Sequence, residues 1–342
     1  MNTDKATPIV CFPSVFIGVH RWLIVLCLAL PGCGVPSFLI TPIQNTNALQ
    51  EVEAQPKQKG ARGGGKIAMI EIDGMLINAR SGGFLQPTEN PLSVFTQQLA
   101  QAEQDPQVKA VVLRVNSPGG TVTTSDAMYE IVQRFRQKTG KPVVAALQEV
   151  AASGAYYVSC ASDRIVAQPT TVVGSIGVIF NTFDFSGTMN KIGASSTAIK
   201  SGALKDMGSP FKPLSADERA VMQGMVNEYY ARFVEVVKTT RPIKDPASLS
   251  TSTDGRVFSG QRALELGLVD ELGLLEDAID VARDLAKAPG AKAVMYKRPY
   301  GYRGSIYANS ELPQPQANHN VTRLELPGGP WLPTGFYYLW NP

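Results

Sequence analysis

Three apolar, strand-length runs at 66–72, 108–115 and 142–147 constrain this chain more than any other feature. Between them, Leu92 to Gln104 and Ser125 to Lys138 carry helical patterns, with Phe95 and Leu99 four positions apart. Strand, helix and strand in alternation predict an α/β fold with a mainly parallel sheet and crossover helices. Right-handed crossovers bring the ends of successive strands to one edge of that sheet. Two of those ends are unusual in composition. The second run leads into Asn116-Ser117-Pro118-Gly119-Gly120, and the third into Glu149 to Tyr157, which reads EVAASGAYY. Arg164 to Ala167 and Gly174 to Ile179 read as further short strands.

Ser153 falls where a buried strand is expected to turn into a helix. N–H groups at a helix start have no intrahelical acceptor and can donate to an anion forming beside the hydroxyl. The Pro-Gly-Gly turn likewise presents backbone N–H groups with no side chain in the way. Taken alone, Ser153 is a helix cap and the turn is a chain reversal. Their shared sheet edge lets them meet.

The chain has two histidines, His20 near its start and His319 in a Pro/Asn-rich stretch, so neither is placed to serve a central serine. A Ser-His-Asp triad is therefore not expected, and lysine is the alternative base. A lysine accepts a proton only when neutral, which at pH 7 costs about 4–5 kcal/mol against an ordinary value near 10.4. Lys200-Ser201-Gly202-Ala203-Leu204-Lys205-Asp206 offers two amines on a Gly-containing loop. Asp206 opposes a neutral neighbour unless it points away.

With these residues in view, the chain resembles the signal peptide peptidase A family of membrane-associated serine proteases, in the broader fold group of the Clp protease and the crotonases. The segments that carry the likeness are VVLRVNSPGG, AASGAYYVSCASDRIVA, VVGSIGVI, IKSGALKDMGSP and DGRVFSGQRALELGLVDELG, in that order between about Lys66 and Ala286. The resemblance implies Ser153 as nucleophile and Lys205 as general base, 52 positions apart. It implies Gly120 and Gly154 as oxyanion donors and Ser175 as the residue that orients the lysine. Lys200 is the rival base; Lys205 fits the Ser-Gly-x-x-Lys pattern. Ala155 stands where the family usually has a second glycine. Peptide substrates such as released signal peptides, a ring-like homo-oligomer with Ser153 and Lys205 from adjacent subunits, and no metal or organic cofactor are further implications. An acyl-CoA enzyme of crotonase type and a protease-like membrane scaffold are the alternatives.

Composition adds limits. With 32 basic and 29 acidic residues, a net charge of +3 argues against nucleic acid as the main partner. Residues 1–33 read as a leader: His20-Arg21 precede Trp22 to Leu30, and Leu30-Pro31-Gly32-Cys33 resembles a lipobox that would lipidate Cys33. A longer span from Ile9 to Leu30 is the anchor alternative. Both place the bulk of the chain outside the cytoplasm, at a membrane of the bacterial envelope. Residues 34–65 read as a flexible tether, 66–290 as the protease domain, and 291–342 as a Pro- and aromatic-rich tail outside it. Cys160 is the domain's single cysteine and reads as a small core residue.

Ser215-Ala216-Asp217-Glu218 has capping-box spacing and predicts a helix to about Lys238. On it Val221, Met225, Tyr229 and Phe233 form a stripe read as a packing or subunit surface. Arg241 to Ser252 reads as a loop. A short helix from Val257, a strand around Leu268-Val269-Asp270 and a closing helix near Leu275 to Lys287 complete the domain.

Overall fold

The apolar runs are buried on both faces, and that requirement shapes everything around them. The computed structural model describes residues 49–55, 64–79, 89–243, 245–298 and 335–340. In chain order the elements are β1 (Gln50–Gln55), β2 (Lys66–Asp73), α1 (Pro91–Gln104), β3 (Val108–Ser117), β4 (Gly119–Thr121) and α2 (Val122–Thr139). They continue with β5 (Val143–Ala152), α3 (Gly154–Ser159), β6 (Arg164–Ala167), β7 (Val172–Gly174), β8 (Ile179–Asn181), α4 (Ser186–Lys191) and α5 (Ala216–Thr240). The rest are α6 (Pro246–Ser252), β9 (Val257–Ser259), α7 (Gly260–Glu265), β10 (Glu271–Leu272), α8 (Leu275–Leu285), β11 (Lys292–Lys297) and β12 (Gly335–Leu339).

The main sheet runs β1-β11-β2-β3-β5-β6-β10. From β11 to β10 every pairing is parallel, and β1 closes one edge antiparallel to β11. Alternate residues of each strand serve opposite faces. Ile70, Leu113 and Leu147 point toward α1 and α2, meeting Phe95, Leu99, Met128 and Phe135. Met69, Val112 and Val144 point the other way and meet Leu275, Ile279 and Ala282 of α8. Continuous apolar runs are what such doubly covered parallel strands need.

Several boundaries differ from those read in the sequence. β5 runs on to Ala152 because it changes partner: Val144 to Leu147 pair with β6, and Val150 to Ala152 pair with β7. The strand expected from Gly174 to Ile179 is broken, since Gly174 (φ +103°) and Ser175 (φ +51°) turn the chain out of the sheet until β8 begins. Arg241 to Ser252 is not all loop; Asp245 Oδ1 accepts the Ser248 N–H at 2.8 Å and Pro246 opens α6. A strand, β9, precedes the helix expected at Val257. β10 begins one residue after Asp270, whose carboxylate is taken by the Ile165 N–H at 2.7 Å and by Arg241 at 2.9 Å. The capping box at Ser215 and Glu218 is present as expected.

Two segments expected outside the domain belong to it. The stretch read as a tether contains β1, held by Lys66 Nζ to Glu51 at 2.7 Å and Lys292 Nζ to Glu53 at 3.1 Å. The stretch read as a separate tail contains β11 and β12. β12 forms a second, small sheet in the order β4-β12-β8. The leader, with His20 and Cys33, and His319 lie outside the described residues. Among the described residues no helix is long and apolar enough to cross a membrane.

Candidate active site

Ser153 sits at the joint between β5 and α3, with φ +51° and ψ −115°. A non-glycine residue in that region carries strain of order 1–3 kcal/mol and persists only where its surroundings impose it. Here the Ser153 N–H donates to the Gly174 carbonyl at 2.7 Å, and the Ser153 carbonyl accepts the Tyr157 N–H at 2.9 Å. A sharp strand-to-helix turn of this kind presents a nucleophile beside the helix's first N–H groups. Ser153 is 1% exposed, and its Oγ is buried without a hydrogen-bond partner among the described residues.

β3 and β5 are parallel neighbours, with Ser117 opposite Ala151, so the Pro-Gly-Gly turn arrives next to Ser153. Three successive N–H groups there go different ways. Gly119 donates to Ser117 Oγ at 3.1 Å and Thr121 to the Leu76 carbonyl at 2.9 Å. Gly120 instead lies opposite Tyr338 in the β4–β12 pairing. A Cβ on Gly154 would stand 3.2 Å from the Gly120 nitrogen, which brings the two expected donors to one spot. Only glycine fits at 120, because a Cβ would overlap the Leu76 carbonyl.

Ser175 reaches the same place by strand pairing. Ala152 is opposite Gly174, so Ser153 and Ser175 each follow a paired residue. Ser175 is nearly buried and lines a cleft of about 380 Å³ with Ile176, Tyr230 and Leu339.

Lys205 is not brought to Ser153 within the chain. It is exposed, and the Ser153 Oγ is without a partner among the described residues, so none of their amines bonds to it. Its loop is nonetheless ordered around Asp206, which takes Lys200 at 2.7 Å and Lys212 at 2.8 Å. Those hydrogen bonds hold the Asp206 carboxyl down at about 2. Lys212 also pairs with the buried Glu218 of the α5 cap. Asp206 is thus committed elsewhere, as a neutral Lys205 requires. Lys200 spends its donors on Asp206 and the Ala203 carbonyl, which weighs against the rival base.

An aromatic pocket beside Ser153 was not legible as a site. Tyr157 lies one helical turn after Ser153 and therefore on its side of α3. Its ring stacks on that of Tyr338 at 5.2 Å, and Phe233 of α5 meets Tyr338 at 4.8 Å. The Tyr338 hydroxyl donates to the Tyr229 carbonyl at 2.7 Å. Two members of the stripe read as a packing surface, Tyr229 and Phe233, thus line this pocket. The four-residue step from Ser153 to Tyr157 was the signal available in the sequence. Cys160 is buried, and burial pushes its thiol up to about 11, leaving no thiolate to act as a nucleophile.

Residues 135–289 match peptidase family S49, and residues 66–173 match the Clp protease family. A putative signal peptide peptidase of Enterococcus faecium is 33% identical over 290 residues, covering 83% of each chain. The chain belongs to peptidase family S49. A putative protease of Methanocaldococcus jannaschii is 38% identical over 237 residues, 68% of this chain and 75% of that one. Protease 4 of Salmonella typhi is 36% identical over 226 residues, 66% of this chain and 35% of that longer one. The S49 chain described here is a serine-type peptidase with a Clp protease-like fold, and the acyl-CoA and scaffold alternatives fall away.

Proposed function

We propose that this peptidase is a Ser/Lys endopeptidase with Ser153 as nucleophile and Lys205 as base, acting on cleaved signal peptides and other unfolded apolar segments at a bacterial envelope membrane. The observation that carries the reading is the strained Ser153 turn beside Gly120 and Gly154. In the proposed mechanism, neutral Lys205 takes the Ser153 hydroxyl proton as Oγ adds to the peptide carbonyl carbon. The N–H groups of Gly120 and Gly154 hold the oxyanion. Lys205 then protonates the leaving amine, and a water activated by the same lysine hydrolyses the acyl-enzyme and restores Ser153. Ser175 positions the lysine.

Lys205 comes from an adjacent subunit of a ring-like homo-oligomer in this proposal. Two observations support that arrangement: the exposure of Lys205 in its own chain, and the exposure of the apolar side chains Ile192, Ile199, Leu204 and Phe211 on the same stretch of sequence. Large apolar side chains left exposed in one segment are candidates for burial against a partner. The signal-peptide part rests on the leader-like residues 1–33 and on the name of the Enterococcus relative.

Size-exclusion fractions assayed with an apolar leader peptide test the assembly. Hydrolysis is expected to track the oligomer, and an active monomer would sink the shared site. Gly120→Ala tests the oxyanion donor. The added methyl displaces β4 from Leu76, and hydrolysis is expected to fall by about 10²–10³ with the fold retained, as circular dichroism would show.

A further inference from the structure

The two glycines assigned to the oxyanion come from different turns, and one buried hydroxyl reaches the surroundings of both. Gly120 follows β3 and Gly154 opens α3, so their N–H groups converge only while the two turns are held in register. The turns already touch through their backbones: a Cβ on Gly119 would stand 2.8 Å from the Gly154 nitrogen. Ser125, in the first turn of α2, adds a side chain to that contact. It is 0% exposed.

The Ser125 hydroxyl donates to the Thr121 carbonyl at 3.0 Å, four positions back and one residue after Gly120. Thr121 is itself fixed, its N–H on the Leu76 carbonyl at 2.9 Å and its hydroxyl bonded to that of Thr124 at 2.8 Å. A helix serine bonded four residues back is a common local device. What matters here is the other side of the oxygen. A Cβ added to Gly154 would lie 2.3 Å from Ser125 Oγ, nearer than it would lie to the Gly120 nitrogen at 3.2 Å. The Ser125 oxygen therefore fills the space over the Gly154 Cα that a side chain would take. A glycine has no side chain of its own to pack, so its position depends on what is pressed against it.

We propose that Ser125 is a positioning residue for the oxyanion: tied to Thr121 and packed on Gly154, its hydroxyl sets the separation of the Gly120 and Gly154 N–H groups. The inference rests on the Ser153 reading above. Ser125 touches no reacting atom and moves no proton. Its effect is on how well the two donors fit the oxyanion, which forms after the substrate is bound. A misplacement of about 1 Å in such a site can cost about 10²-fold in rate. Ground-state binding, which does not use that fit, is left alone.

Ser125→Ala and Ser125→Thr, with Gly120→Ala alongside, are assayed in the full chain on an apolar leader peptide, and denaturant midpoints are recorded. A peptide aldehyde is the second probe, because its adduct with the Ser153 Oγ carries the oxyanion. Ser125→Ala is expected to lower kcat about 10–30-fold with KM within about twofold, and to weaken the aldehyde by the same factor as kcat. The loss is smaller than the 10²–10³ expected for removing a donor, since the donor is displaced and not removed. Ser125→Thr keeps the oxygen and is expected to stay within about threefold of wild type. Ser125→Ala that leaves kcat unchanged, or lowers it without weakening the aldehyde, overturns the inference and leaves the Ser153 reading standing. Ser125→Thr as slow as Ser125→Ala, at a wild-type midpoint, overturns it too. Gly120→Ala that hydrolyses as fast as wild type removes the donor assignment, and the inference falls with it.

Discussion

Ser153→Ala is expected to lower hydrolysis of an apolar leader peptide by about 10⁴–10⁶, with no loss of stability. The two halves of that result have separate causes. The nucleophile is gone, so no acyl-enzyme forms, and what remains is the modest contribution of binding and the oxyanion donors. The removed hydroxyl, however, is buried and without a partner among the described residues. Its loss gives up no hydrogen bond and relieves an unsatisfied polar group, so the denaturant midpoint is expected to stay level or rise. A variant that is inactive because it has unfolded would show a lower midpoint instead.

Lys205→Ala is expected to cost on the order of 10⁴ in rate, and the more informative measurement is made on a mixture. Ser153→Ala and Lys205→Ala chains, each inactive alone, are co-assembled by refolding together. If the serine of one subunit works with the lysine of the next, some sites in the mixed assembly pair an intact Ser153 with an intact Lys205, and hydrolysis returns. If both groups act within one chain, every site lacks one of them and the mixture stays inactive. Exposure of Lys205 in its own chain favours the first outcome.

The central strands were legible because burial on both faces demands uninterrupted apolar sequence, as Val111 to Leu113 and Val143 to Leu147 show. Ser153 was legible because small residues must surround a tight strand-to-helix turn, and Ser215 because its cap is a local device. What escaped depends on distant partners. β1 reads as QEVEAQ, a polar stretch whose strand state comes from pairing with β11, more than two hundred positions away. β12 carries aromatic residues suited to a strand, but nothing local says that its slot lies between Gly119–Thr121 and Ile179–Asn181. Tyr229 and Phe233 have the helical spacing of a packing face, and only the arrival of Tyr338 turns them into walls of a pocket.

The loop that bears Lys205 has an electrical property of its own. Lys200, Asp206, Lys212 and Glu218 form a chain of alternating sign whose net charge is zero. The field of such an arrangement decays faster with distance than that of any single charge in it, so these four groups together project little beyond themselves. Lys205 is left as the one cation of residues 200–212 without a carboxylate partner among the described residues. Its amine therefore stands in electrically quiet surroundings within its own chain, and whatever surface closes over it will dictate its chemistry.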